Sequence, residues 1–151
     1  VMRLVGSEMC IRDRTNSREY LVAAADRFDG QVDRIRAIKN KRFKLIRNYN
    51  VSLPHALDVN YRKQVPMMRR LMELNEKDLL NANQRRWFQT PKPSIEFYDL
   101  VKDPFELNNL AGDSIHLVEI KKFEKHLDTW ITTTSDLGEL PESEIIKYST
   151  Q

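Results

Sequence analysis

The chain has 151 residues, 25 of them Lys or Arg against 22 Asp or Glu, with 40% apolar residues, four Gly and six Pro, the composition of one globular domain. No apolar run approaches the roughly 18 to 20 residues that would span a bilayer. A net charge of +3 is too weak to imply nucleic acid, and the lone Cys10 excludes an internal disulfide and a Cys-rich metal site.

Val1 to Arg14 has no helical or strand periodicity and no secretory or transit pattern. Leu4 to Asp13 reads instead as the conceptual translation of a transposase-type sequencing adapter. Residues 1–14 are therefore expected to be non-native, with the native chain truncated at its N terminus. Cys10 to Arg14 mimics part of a nucleophile motif but lies inside this segment.

Tyr20 to Ala25 reads as a buried strand entering a loop, with the turn residues Asp and Gly in Asp26-Arg27-Phe28-Asp29-Gly30. Val32 to Ile38 alternates, Ile35 and Ala37 on one face and Arg34 and Arg36 on the other, hence strand. Lys39 to Arg42 is a reversal in which Asn40 can take positive φ, and Phe43 to Tyr49 resumes the alternation, giving a β-hairpin. Asn50 to Lys63, with Pro54 and little periodicity, is an irregular connection. Pro66 opens a helix carrying Met67, Met68, Leu71, Met72 and Leu74, and a short helix is predicted near Asn83 to Phe88 with Asn83 as its cap. Pro91 and Pro93 end it. Ser94 to Leu100 returns to strand, Phe105 to Ala111 is expected to be a short helical piece, and Gly112-Asp113-Ser114 supplies a stop and a new cap. The last helix is the clearest, with Ile120, Phe123, Leu127, Trp130 and Ile131 in one apolar stripe, ended by Gly138 and Pro141. These elements predict an α+β fold, a small antiparallel sheet of about four strands packed against a long C-terminal helix.

His55, His116 and His126 lack metal-ligand spacing and read as structural. Lys39 to Arg47, with Phe43 and Tyr49 interleaved, is the one nucleic-acid-like feature; alternation makes its Lys and Arg a solvated face instead. The best site candidates are Asp26, Arg27 and Asp29, because charged residues in a loop after a buried strand often line a cleft. A local Asp–Arg ion pair is the simpler reading.

Two segments carry a family resemblance. Lys41-Arg42-Phe43-Lys44-Leu45-Ile46-Arg47-Asn48 resembles a strand near the end of sulfatases, and Phe97-Tyr98-Asp99-Leu100-Val101-Lys102-Asp103-Pro104-Phe105-Glu106-Leu107-Asn108-Asn109-Leu110-Ala111 is similar to their L-Y-D-L-x-x-D-P-x-E-x-x-N-L-A segment. The Asp26 to Asp29 loop, the Pro66-Met67 helix and Trp130 to Glu142 resemble the bacterial heparan N-sulfatase (sulfamidase)-like branch. In that loop Ala25 stands where the family has Arg, and Gly30 where it has Glu. The resemblance implies the C-terminal subdomain of an alkaline-phosphatase-like sulfatase that hydrolyses sulfate esters or N-sulfates of carbohydrates. It divides the native part into residues 15–30, the end of the catalytic domain and a connecting loop; 31–145, the C-terminal subdomain; and 146–151, a tail. It implies an N-terminal catalytic domain, holding calcium and formylglycine, as partner, and a periplasmic or secreted location. Catalytic and metal residues are expected in that domain and none in this chain, which alone would be inactive. Arg27 and Asp29 are the expected substrate contacts, Arg27 pairing with a sulfated or carboxylated sugar. The alternative is a stand-alone module binding anionic glycan or nucleic acid through the basic hairpin.

Overall fold

The computed structural model describes residues 18–140 and residue 144. The adapter-like segment, the 146–151 tail and Pro141 as a terminator lie outside those residues. Four strands run in sequence order, β1 (Leu21–Phe28), β2 (Gln31–Lys39), β3 (Phe43–Asn48) and β4 (Ile95–Asp99), each antiparallel to the next. Between β3 and β4 lie α1 (Asn60–Gln64), α2 (Pro66–Glu76) and α3 (Ala82–Arg85); α4 (Leu117–Thr133) follows β4.

One sheet face packs on α4. Val22 is opposite Ile38, Ile38 opposite Leu45 and Leu45 opposite Phe97, so a single apolar row crosses all four strands. Onto it α4 lays Ile120, Phe123 and Leu127, spaced as its apolar stripe predicts. Phe43, Phe97 and Phe123 meet edge to face or stacked, with centroids 5.1 to 6.4 Å apart. His126 stacks on Tyr20 at 4.3 Å, a structural role for that histidine.

Several local expectations are corrected. Asp26 and Arg27 are not in a loop: β1 continues to Phe28, and the turn is Asp29-Gly30, Asp29 having φ 57°. Nor is β1 buried, because it is an edge strand whose Leu21, Ala23 and Ala25 stay exposed. Arg34 and Arg36 are not solvated; both are buried, on the face that carries Ile38. Asn40 does not take positive φ. Its side chain instead accepts from the Arg42 and Phe43 amides, an Asx turn that reverses the chain without the left-handed region. The connection after β3 contains a helix, α1, and the cap of α3 is Asn81, two residues earlier than expected, in a reciprocal capping box with Gln84. Residues 105–111 are turns rather than a helical piece. The Asp103 carboxylate accepts from the Asn108 amide, and the Asn109 side chain accepts from the Phe97 and Ala111 amides. These side chains satisfy the backbone locally, which removes the incentive to form helix.

The 49–93 connection packs over half of the other sheet face, where Pro93 meets Asn48, His55 meets Glu96 and Arg86 meets Tyr98; Asn48, Glu96 and Tyr98 are buried, as are Leu57, Val59 and Leu80 of the connection. The half built by β1 and β2 is left open.

Candidate functional site

The β1–β2 hairpin carries the candidate residues, and its geometry follows from a bulge. Ala25 is opposite Ile35, but Arg27 is opposite Val32, so the pairing slips between Ala25 and Arg27 and β2 holds the extra residue. Side chains alternate along β1. Asp26 therefore falls on the α4 face, and Arg27 on the other. The structure directs these two neighbours to opposite faces, and the Asp26 carboxylate lies 2.7 Å from Arg36. Arg27 and Asp29 remain exposed toward the hairpin tip.

Two clamps hold this hairpin. On one side the Phe28 ring lies under the Arg62 guanidinium at 4.7 Å, and Arg62 donates to the His55 carbonyl at 2.7 Å. Asn50 donates to the Val32 carbonyl at 3.0 Å. On the other side Arg36 is wholly buried between carboxylates of two distant segments. Its Nη2 lies 2.7 Å from Asp136 Oδ1 and its Nε donates to Asp136 Oδ2 at 2.8 Å, while Nη1 donates to the Ala25 carbonyl at 3.2 Å. Arg34 donates to Asp136 at 3.2 Å and to Glu139 at 2.6 Å, with Tyr49 stacked on its guanidinium at 4.0 Å. The Arg36 guanidinium holds the Asp136 carboxyl at about 2, well below the usual carboxylate range. Burial works against the charge of Arg36, but Asp136 and Asp26 outweigh it and keep that group charged.

A second charged cluster lies under the 49–93 connection. Buried Lys92 pairs with buried Asp33 at 2.5 Å, and Glu96 accepts from Asn48 at 2.7 Å and from the Tyr98 hydroxyl at 2.5 Å. His55 approaches Glu96 at 3.5 Å; burial keeps its imidazole below its ordinary value despite that carboxylate. Burial, then the Glu96 carboxylate, push the Tyr98 hydroxyl up. Neither cluster was read from the sequence. The available signal was two arginines in register with Ile38 on a strand, which a buried face must neutralise.

The basic hairpin is largely neutralised. Arg42 pairs with Asp99 at 3.0 Å, Lys44 with Glu106 at 2.7 Å and Arg47 with Asp128 at 2.6 Å. Burial alone would push the Asp99 carboxyl up, yet Arg42 and the Lys102 and Val101 amides hold it below its ordinary value. Among the described residues no group of three or more His, Cys, Asp and Glu is placed to hold a metal ion, and no helix is long and apolar enough to cross a membrane. The chain contains no Cys-x-Pro-Ser-Arg or Ser-x-Pro-Ser-Arg segment.

The four-stranded sheet with its long helix matches the C-terminal part of sulfatase structures. A 2-O glycosaminoglycan sulfatase superposes with a TM-score of 0.51 at 16% identity, over 90% of this chain and 21% of that one. A candidate sulfatase from Bacteroides thetaiotaomicron gives 0.52 at 17% identity, with the same coverage of 90% and 21%. At these identities the likeness establishes the fold. In sequence the chain is 43% identical over 133 residues to an ulvan-active sulfatase of Formosa agariphila, covering 88% of this chain and 22% of that protein. The chain thus spans about a fifth of the length of the curated relative it matches. No protein-family model matches it.

Proposed function

We propose that this chain is the C-terminal part of a carbohydrate sulfatase, which supplies a substrate-facing hairpin to a catalytic domain that is not in this chain. The observation that carries the reading is the 43% identity to the ulvan-active sulfatase over nearly the whole chain. The open half of the sheet supports it. Leu21 and Val32 are each about half exposed, with Ala23 and Ala25 beside them on the same face. A surface of this kind on an edge strand calls for a cover. The remainder of a protein several times longer is the occupant the relative's length argues for.

Calcium and formylglycine belong to that catalytic domain. The described residues of this chain do not fit a site for calcium, and the sequence has no Cys-x-Pro-Ser-Arg or Ser-x-Pro-Ser-Arg segment, so no step of hydrolysis is assigned to them. The chain's own contribution is recognition. Arg27 offers a cation to a sulfate or carboxylate oxygen, and Asp29 offers an acceptor to sugar hydroxyls, both on a hairpin clamped from two sides. Secretion to the periplasm or beyond is where a polysaccharide substrate would be met. The substrate bond we favour is the O-sulfate ester, after the ulvan-active relative; a sulfamidase-type N-sulfate bond rests on the resemblance of the Asp26 to Asp29 segment, the Pro66-Met67 helix and Trp130 to Glu142 alone.

The test is sulfate release by the intact protein that carries this chain, offered O-sulfated ulvan oligosaccharides and, separately, N-sulfated heparan oligosaccharides. Release from the first supports the reading, and release from the second alone moves it to the sulfamidase branch. No release from either overturns it. Arg27→Ala is expected to raise KM about tenfold with little change in kcat, as loss of a charge-assisted contact made equally in ground and transition states.

A further inference from the structure

Residues 135–140 form a strap that leaves the C-terminal end of α4 and crosses the sheet face beside it. Ser135 reverses the chain with φ 50°, and the Asp136 carboxylate then accepts from the Gly138 amide at 3.2 Å, fixing a short 3₁₀ turn at Leu137–Glu139. The strap is seated on arginines, not on the apolar core. Asp136 grips Arg36 through both carboxylate oxygens, and Glu139 grips Arg34. Gly138 lies so close that a Cβ there would collide with the Arg36 guanidinium and the Asp26 carboxylate.

What Arg36 holds in turn is specific. One of its nitrogens reaches the Ala25 carbonyl and the Asp26 carboxylate, the two residues immediately before Arg27 at the bulge. The extra residue is on β2, and the bulge interrupts the pairing of β1 with it between Ala25 and Arg27, so the direction of β1 there depends on what else holds it. A guanidinium fixed by a bidentate carboxylate has a defined plane, so the strap sets the backbone from which Arg27 projects. Burying these charges is costly, and an apolar cluster of the same volume would serve stability as well. The charged arrangement adds direction.

We propose that Asp136 and Gly138 are positioning residues which, through Arg36, hold the strand at Ala25–Asp26, opposite the β2 bulge, and so place Arg27 and Asp29 toward a sulfated sugar. The inference rests on the reading of Arg27 and Asp29 as the sugar-facing pair.

The experiment uses the intact protein carrying this chain, with O-sulfated ulvan oligosaccharide as probe and amide hydrogen exchange over residues 25–30 as a second readout. Asp136→Asn and Gly138→Ala should raise KM about tenfold while kcat stays within about twofold, and should speed exchange across the hairpin. Asp136→Glu should recover part of the loss. The double variant Arg27→Ala/Asp136→Asn should raise KM by clearly less than the product of the two single effects, because both changes act on the Arg27 contact. Should Asp136→Asn fail to fold, Glu139→Gln, at a mostly exposed carboxylate, is expected to move KM and exchange the same way by less. Unchanged hairpin exchange, or a fall in kcat at constant KM, overturns the proposal. The two ideas fail separately: Arg27→Ala without effect on KM sinks the sugar-facing reading, whereas an effect of Arg27→Ala that Asp136→Asn does not share sinks only the positioning role.

Discussion

Arg36 is the residue on which the candidate site turns. It is fully buried, and its charge is balanced by Asp136 and, from the solvent side, by Asp26. Removing a partner from such a group leaves a buried charge uncompensated, so Arg36→Ala is expected to destabilise the chain by about 3 kcal/mol or more, read from the shift of a denaturant midpoint at constant slope. The carboxyl side gives a pH signature. Asp136 titrates at about 2 in the folded chain, below the roughly 3.9 of an unperturbed aspartate. A depressed carboxyl favours the folded state above its unfolded pKa, and that contribution is lost as pH falls through the folded value. Denaturation measured between about pH 4 and pH 2 should therefore show a loss that Asp136→Asn reduces, the remainder belonging to other depressed carboxyls such as Asp99. If wild type and variant decline in parallel there, the pair is not coupled to folding as its geometry requires. Asp26, Arg27 and Asp29 were recognisable as chemistry-bearing residues from their types alone. That the first would turn inward and the second outward depended on the strand running on to Phe28, which the Asp and Gly composition of the segment disguised.

Among the elements, α4 contributes most to the core. Phe123 and Leu127 are completely buried against Ile38, Leu45 and Phe97, so Leu127→Ala should cost about 2–5 kcal/mol. Val118, on the outer side of the same helix, is 83% exposed, and Val118→Ala should change stability by less than about 0.5 kcal/mol. Thermal denaturation of the pair separates the stripe from helix propensity in general. The end of α4 is softened as its threonines suggest: Thr132, Thr133 and Thr134 hydroxyls bond back to carbonyls four residues earlier. Gly138, expected to stop the helix, has another role five residues beyond its end, where a Cβ would press on the Arg36 guanidinium and the Asp26 carboxylate and force them to shift. The helix α3 shows the limits of capping by composition. Asn81 and Asn83 are both residue types that cap helices, and the choice of Asn81 came with the reciprocal bonds to Gln84. Asn81→Ala should cost about 1 kcal/mol, measurable by chemical denaturation.

For the molecule as a whole, the uneven covering of the sheet is the main feature. One face is closed by α4 and the strap, the other half-closed by the 49–93 connection, and the β1–β2 half of that second face is open. If that area receives a larger domain, Leu21→Glu should reduce aggregation of this chain by itself without lowering its thermal midpoint, and should weaken the intact protein; equal effects in both settings would argue that nothing docks there.

Periodicity placed β2, β3 and the long helix, because a period of two or of 3.6 is a local property of the backbone and needs no knowledge of what lies opposite. The sulfatase-like segments carried the fold assignment in the same way, as a run of adjacent residues that order the loop after β4. Which face of β2 was to be buried lay beyond such local signals. Arg36 and its partner Asp136 are 100 residues apart in the chain. A cation on an alternating strand looks solvated until another segment, arriving from the far end, supplies the carboxylate that makes its burial tolerable. The hairpin, the strap and the charged clamp between them came into view only with the packing that brings those distant residues together.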